Sequence, residues 1–200
     1  MSCATQDLII QKGKTFSKVL RWESLPFLYK PITAITKAAP AVITSAVHGI
    51  PDGWRVVIVS VQGMTEINAL NTPPRDSDYH KATLVDANTI NLNDVNSAEF
   101  TAYTSGGYIQ LRTPVDLAGF TARMQIRASL TATAFLLELV SPTDIVLDNV
   151  AKTITITIAA AVTAAITWKT GVYDLELVSA GGVVTQLLSG TVTVVEEATR

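Results

Sequence analysis

From Phe120 to Arg127 every second residue is apolar. Phe120, Ala122, Met124 and Ile126 fall on one side, and Thr121, Arg123, Gln125 and Arg127 on the other. A period of two is the signature of a strand with one buried face; a helix would need a period near 3.6. Thr153–Ile158 repeats the pattern as an unbroken Thr/Ile alternation. Its polar side carries no charge, which suits a surface that will be covered. Charged residues make up 16% of the chain, below the roughly 25% of an average soluble domain. Thr, Ala and Val take their place, and Thr and Val fit a pleated, half-buried strand surface. The chain is therefore expected to be all-β. So little surface charge reflects either faces covered by other subunits or a well-buried Ala/Val-rich fold.

Leu8–Gln11 and Thr15–Trp22 are short alternating runs separated by Gly13, which predicts a hairpin. Leu25–Tyr29 breaks the alternation. Pro26 and Pro31 forbid a central strand, yet the segment is apolar and aromatic, so it either plugs its own core or docks on a partner. The plug is the reading that isolated apolar residues favour. After the Ala/Thr/Ile-rich stretch Ile32–Ser45, His48-Gly-Ile-Pro-Asp-Gly53 reads as a turn. Arg55–Val61 gives the clearest strand signal of all. A polar loop at Asn71–His80 precedes strands at Lys81–Asp86, Thr89–Leu92 and Tyr108–Arg112, spaced as in a small barrel or sandwich. Strands follow at Phe135–Val140 and Thr153–Ile158, with one helical turn within Ala159–Ile166. Val172–Ser179 and Val183–Leu188 flank Ala180-Gly181-Gly182 as a hairpin, and Thr191–Glu196 is expected as a final strand.

With 15 basic and 17 acidic residues and a pI near 5.6, the chain offers no clustered cation for nucleic acid. Cys3 is the sole cysteine, which excludes an internal disulfide and a thiolate metal cage; its place near the terminus argues against a nucleophile. No apolar stretch approaches the roughly 20 residues of a membrane-spanning helix. The N-terminus lacks the basic-then-apolar pattern of a secretory signal, so synthesis and folding in a cytoplasm are expected.

Four segments carry a resemblance: Asp7–Phe16 (DLIIQKGKTF), Pro114–Arg127 (PVDLAGFTARMQIR), Gly171–Leu177 (GVYDLEL) and the closing hairpin to Arg200. They resemble a short Ig-like β-sandwich of bacteriophage tail and neck proteins, similar to the N-terminal domain of baseplate upper proteins that join receptor-binding fibres to the tail. In that pattern a short loop joins the first strands to the PVDLAGFTARMQIR strand, whereas about eighty residues intervene here. The intervening His48–Gly53, Gly63–Asn68, Val85–Ile90 and Phe100–Gly107 resemble a second phage tail module, the β domain named after the first-catalytic-cysteine half of ubiquitin-activating enzyme. No cysteine lies there, so that enzyme's chemistry is excluded. The longer Pro73-Pro74 loop at Asn71–His80 departs from the pattern and leaves the local strand order open.

The resemblance implies an Ig-like β-sandwich formed by residues 1–31 and 113–200, with a small β-barrel or sandwich module, residues 32–112, inserted in one of its loops. It implies a virion structural protein made in the host bacterial cytoplasm: an adaptor at the tail, baseplate or neck. Its partners would be copies of itself in a symmetric ring and neighbouring tail, neck or fibre proteins, with no nucleic acid, no membrane and no cofactor. A head-decorating or collar protein differs from this only in location. No catalytic or metal site is expected. His48 and His80 are the only histidines, and a hydrolytic triad would need one of them beside a Ser and an oriented carboxylate. Asp76, Asp78 and His80 offer too few ligands for Ca²⁺ or Zn²⁺. The candidate interaction surface comprises Leu25, Phe27, Tyr29, Trp54, Tyr79 and Tyr103. From another class comes a carbohydrate-binding reading, in which Trp54, Tyr79, Phe100 and Tyr103 form an aromatic platform. Core packing is the competing fate of Trp54 and Phe100.

Overall fold

A computed structural model describes residues 4–197, and Cys3 lies outside them. The protein is all-β. Its strands in chain order are β1 (Ala4–Thr5), β2 (Leu8–Gln11), β3 (Phe16–Leu20), β4 (Glu23–Pro31), β5 (Ala34–Ile35), β6 (Ala41–Thr44), β7 (Arg55–Gln62), β8 (His80–Asp86), β9 (Thr89–Leu92) and β10 (Ser105–Pro114). They continue as β11 (Thr121–Arg127), β12 (Phe135–Val140), β13 (Ile145–Asp148), β14 (Thr153–Ile158), β15 (Thr170–Val178) and β16 (Val184–Val195), with one short helix, α1 (Ala160–Ala164), before β15. The chain divides into two compact units, Met1–Trp22 with Val115–Arg200, and Glu23–Pro114.

The first unit is a β-sandwich. One sheet runs β1-β16-β15-β11-β12, with β2 also on β16, and the other runs β13-β14-β3. The alternations read from sequence supply the core between them. Ala122, Met124 and Ile126 meet Ile154, Ile156 and Ile158, together with Tyr173, Leu175 and Leu177. Each fully buried isoleucine contributes about 1.5–3 kcal/mol of hydrophobic stabilisation. Thr153, Thr155 and Thr157 alternate with the isoleucines, and Thr155 lies between Val19 and Val146 in the pairing register.

The N-terminal hairpin does not form. β2 pairs parallel with β16, and β3 joins the opposite sheet antiparallel to β14. A turn at Gly13 (φ +79°) therefore carries the chain from one layer to the other. Local alternation cannot distinguish these outcomes, because it sets which side chains face inward and not which strand lies alongside. β1 and β2 are two halves of one edge, interrupted at Gln6–Asp7. There the Gln6 carbonyl approaches so closely that a Cβ on Gly190 would collide with it, and Tyr173 donates its hydroxyl to the same oxygen at 2.7 Å. Asp7 accepts both the backbone N–H and the hydroxyl of Thr191, at 2.9 and 2.7 Å, which holds its carboxyl below the ordinary aspartate range. The expected final strand at Thr191–Glu196 is continuous with the second arm of the hairpin, and both belong to β16.

The second unit is a seven-stranded sheet ordered β4-β10-β7-β8-β9-β6-β5. Its two end strands are consecutive in the chain, joined by Ile32 and Thr33. The Ile32 N–H bonds the Gly107 carbonyl on one side, and the Thr33 N–H bonds the Thr44 carbonyl on the other. The sheet therefore curls around one core, in which Ile43, Trp54, Ile58, Met64, Ile90 and Leu92 are fully buried. β4 belongs to this unit through seven registered pairs with β10. The boundary expected at residue 31 therefore falls between Trp22 and Glu23.

Candidate interaction face

β4 is the edge strand that the prolines permit. Pro26 and Pro31 sit where one side of the backbone has no strand to bond, the place a sheet tolerates proline. Register slips between Arg112↔Phe27 and Thr113↔Ser24, so Leu25 and Pro26 form a bulge, pinned by the Thr113 hydroxyl donating to the Pro26 carbonyl at 2.6 Å. The segment is not a core plug. Leu25 is 63% and Tyr29 53% exposed, and of these five residues only Leu28 packs on the hydrophobic core. Burial here follows the sheet's alternation, which a reading of the segment as an irregular loop could not supply.

Residues directly opposite in an antiparallel ladder share a face. The pairs Phe27↔Arg112, Tyr29↔Gln110 and Pro31↔Tyr108, with Tyr108↔Val59, therefore lie on the side opposite the core-directed Ile109 and Leu111; Gln110 on that side is buried, whereas Tyr29 and Tyr108 are exposed. Tyr29 and Tyr108 meet edge to face with centroids 6.2 Å apart. The Arg112 guanidinium lies 5.2 Å from the Phe27 centroid, and that of Arg55 lies 4.8 Å from Tyr79. Glu23 ties the two arginines together, accepting from Arg55 Nε at 2.7 Å and lying 3.7 Å from Arg112 Nε. Asp76 adds a 3.3 Å contact to Arg55. Desolvation works against the charge on Arg55, but Glu23 and Asp76, with Tyr79, together outweigh it and raise its pKa. The strip is thus aromatic and close to neutral, with a guanidinium over each of two rings.

Four of the six surface residues expected from sequence, Leu25, Phe27, Tyr29 and Tyr79, lie on or beside this strip. Trp54 does not. It is fully buried and donates its indole N–H to the Arg112 carbonyl at 3.2 Å. Tyr103 is half-buried, its hydroxyl 3.0 Å from both the Ile32 and Gly106 carbonyls. The aromatic platform proposed around Trp54 and Tyr103 is therefore not an exposed surface. Arg55, Tyr108 and Arg112 were missed. The signal for two of them was present, since Tyr108, Gln110 and Arg112 alternate with the apolar Ile109 and Leu111.

His48 is buried and structural. Nδ1 accepts the Ile50 N–H at 2.9 Å, so Nε2 is the donor to the Asp86 carbonyl at 3.0 Å. His80 pairs through Nδ1 with Asp94 at 2.8 Å and shares a groove with Ser77. No hydrogen bond joins Ser77 to His80 among the described residues. Asp76 and Asp78 diverge. Asp76 reaches Arg55, whereas Asp78 turns inward to the N–H groups of Leu70 and Arg75 and the amide of Asn71. Among the described residues no group of three or more His, Cys, Asp or Glu is placed to hold a metal ion. No protein family matches the sequence, and no curated protein does.

Proposed function

We propose that this protein is a structural component of a bacteriophage particle, an adaptor at the tail, baseplate or neck. It would act by binding copies of itself and neighbouring virion proteins rather than by turnover. The observation that carries the binding half of this reading is the strip of Phe27, Tyr29, Tyr108, Arg55 and Arg112. Tyr, Phe and Arg are the residues enriched at protein-binding surfaces and among their energetic anchors. Here their charges are already paired, so a partner need not neutralise them. The phage half rests on the resemblance of the Asp7–Phe16, Pro114–Arg127 and His48–Gly53 segments to tail modules. An Ig-like sandwich as anchor and a ring of copies follow from the same reading.

Mass spectrometry and cryo-electron microscopy of purified particles test it directly. The protein should be present at fixed stoichiometry, with the strip against a neighbouring subunit. Its absence from intact particles would overturn the proposal. In solution, Tyr29→Ala with Tyr108→Ala should abolish co-purification with the partner while leaving the fold intact.

A further inference from the structure

A second concavity in the Glu23–Pro114 unit has a different chemistry. It encloses about 260 Å³ between the turn at Thr65–Ile67, the loop leading into β8 and the loop following β9. Ile67, Val95 and Phe100 give it an apolar wall, and Leu70 stands at its rim 92% exposed. The volume is a little below the roughly 300 Å³ at which drug-sized sites begin, the scale of one small ring.

The polar groups divide into those already used and those left open. Asp78 is used: the Leu70 N–H, the Arg75 N–H and the Asn71 amide all donate to it. One oxygen of Glu66 is used, accepting the Thr101 N–H and hydroxyl at 2.8 Å each. The His80–Asp94 pair fixes the imidazole through Nδ1 and leaves Nε2 and the other Asp94 oxygen without a partner among the described residues. Asn96 accepts from the Ala98 N–H through its oxygen, and its Nδ2 has no partner among the described residues. None of the residues lining the groove is Lys or Arg, so an anionic ligand would meet no counter-charge. What remains is a set of fixed donors and acceptors beside an aromatic ring.

We infer that this groove is a binding subsite for one neutral pyranose unit. Its C–H face would lie on Phe100, and its hydroxyls would be shared among Asp94, His80 Nε2 and Asn96 Nδ2. A sugar hydroxyl both donates and accepts, which matches a site presenting both kinds of group; an aromatic wall beside a few convergent polar groups is the general form of a small-ligand site. The inference stands independently of the assembly role. It also moves carbohydrate recognition away from Trp54 and Tyr103, which are buried or hydrogen-bonded, to Phe100, which lines this groove.

The test is saturation-transfer difference NMR on the full chain. The probes are the methyl glycosides of glucose, galactose, mannose, rhamnose and N-acetylglucosamine, with lysine methyl ester as the cationic control. At least one glycoside should receive saturation, with a Kd on the order of 1 mM. Asp94→Ala and Asn96→Ala, both at exposed positions, should each weaken it by about threefold to tenfold with an unchanged amide spectrum. Phe100→Leu, which keeps an apolar side chain, should abolish transfer to the ring C–H protons. No transfer to any glycoside, transfer indifferent to the first two variants, or binding of the lysine ester alone would each overturn the assignment.

Discussion

Replacing Trp54 by Ala separates the two roles open to an aromatic residue in this chain. The side chain is fully buried beside Ile58 and Leu111 in the second unit's core, and its indole N–H bonds the Arg112 carbonyl. Truncating a buried Trp to Ala costs about 3–5 kcal/mol through lost transfer energy and the cavity left behind. The stability of a whole domain is only about 5–15 kcal/mol. With a urea dependence of about 1–3 kcal/mol per molar, the transition of this unit should fall by about 1–5 M. Trp54→Phe provides a milder version that keeps a ring and loses the indole hydrogen bond, at about 1–2 kcal/mol. Tyr29→Ala, at a half-exposed outward position, should stay within about 0.5 kcal/mol of the parent. Urea titrations followed by far-UV circular dichroism read all three. A Trp54→Ala transition within about 0.5 kcal/mol of the parent, or a Tyr29→Ala cost as large as that of Trp54→Ala, would refute the assignment of inner and outer faces on which the interaction strip depends.

Three further outcomes follow from the same geometry. Asp7, Glu66, Asp78, Asp86 and Asp116 all have carboxyls held below their ordinary values, chiefly because backbone N–H groups donate to them. The unfolded chain therefore binds protons more readily. This contribution is complete above the unfolded values of 3.8 to 4.5 and is lost as pH falls through the lower folded values. Thermal melts from about pH 5 down to pH 2 should show a progressive fall in Tm, and a flat profile would contradict it. Gly107 has φ +86° and sits so close to Val61 that an added Cβ would press on its side chain and backbone. Gly107→Ala should cost about 1–3 kcal/mol in chemical denaturation, and a midpoint equal to the parent's would show that the site accepts a side chain. His48→Ala removes the acceptor of the Ile50 N–H, at a buried residue, and the donor to the Asp86 carbonyl. It should cost about 1–3 kcal/mol and raise amide exchange at Ile50, and unaltered protection there would exclude the bracing role.

The elements most legible in the sequence were those whose alternation is complete within the strand. β11, β14 and the β15–β16 hairpin lie where the period of two placed them, because a strand with one wet and one dry face needs no knowledge of its neighbours to be recognised; β7, buried on both sides at Val56, Val57 and Ile58, is legible as a continuous β-branched run instead. Pairing was not legible. β2 lies on β16 and β3 on β14, in both cases across more than a hundred residues, and nothing in LIIQ or FSKVL specifies those partners. The candidate site divides in the same way. The chemical types, Phe, Tyr and Arg on and beside a proline-bearing segment, can be read from the chain, but which ring faces water cannot. Trp54, just before β7, and Tyr29, within β4, are both large aromatics; one fills the core and the other stands on the outer face, and only the assembled sheet decides which.

The sequence by itself therefore determined the all-β class and the inward and outward sides of its regular strands, since both follow from side-chain spacing along an extended backbone. The tertiary structure alone decided that Leu25–Tyr29 is an edge strand, that Trp54 belongs to a core, and that Glu23, Arg55 and Arg112 come together. Those outcomes depend on β4 meeting β10 and β10 meeting β7. Such contacts between residues far apart in the chain are chosen by the free energy of the whole assembled sheet rather than by any local stretch of it.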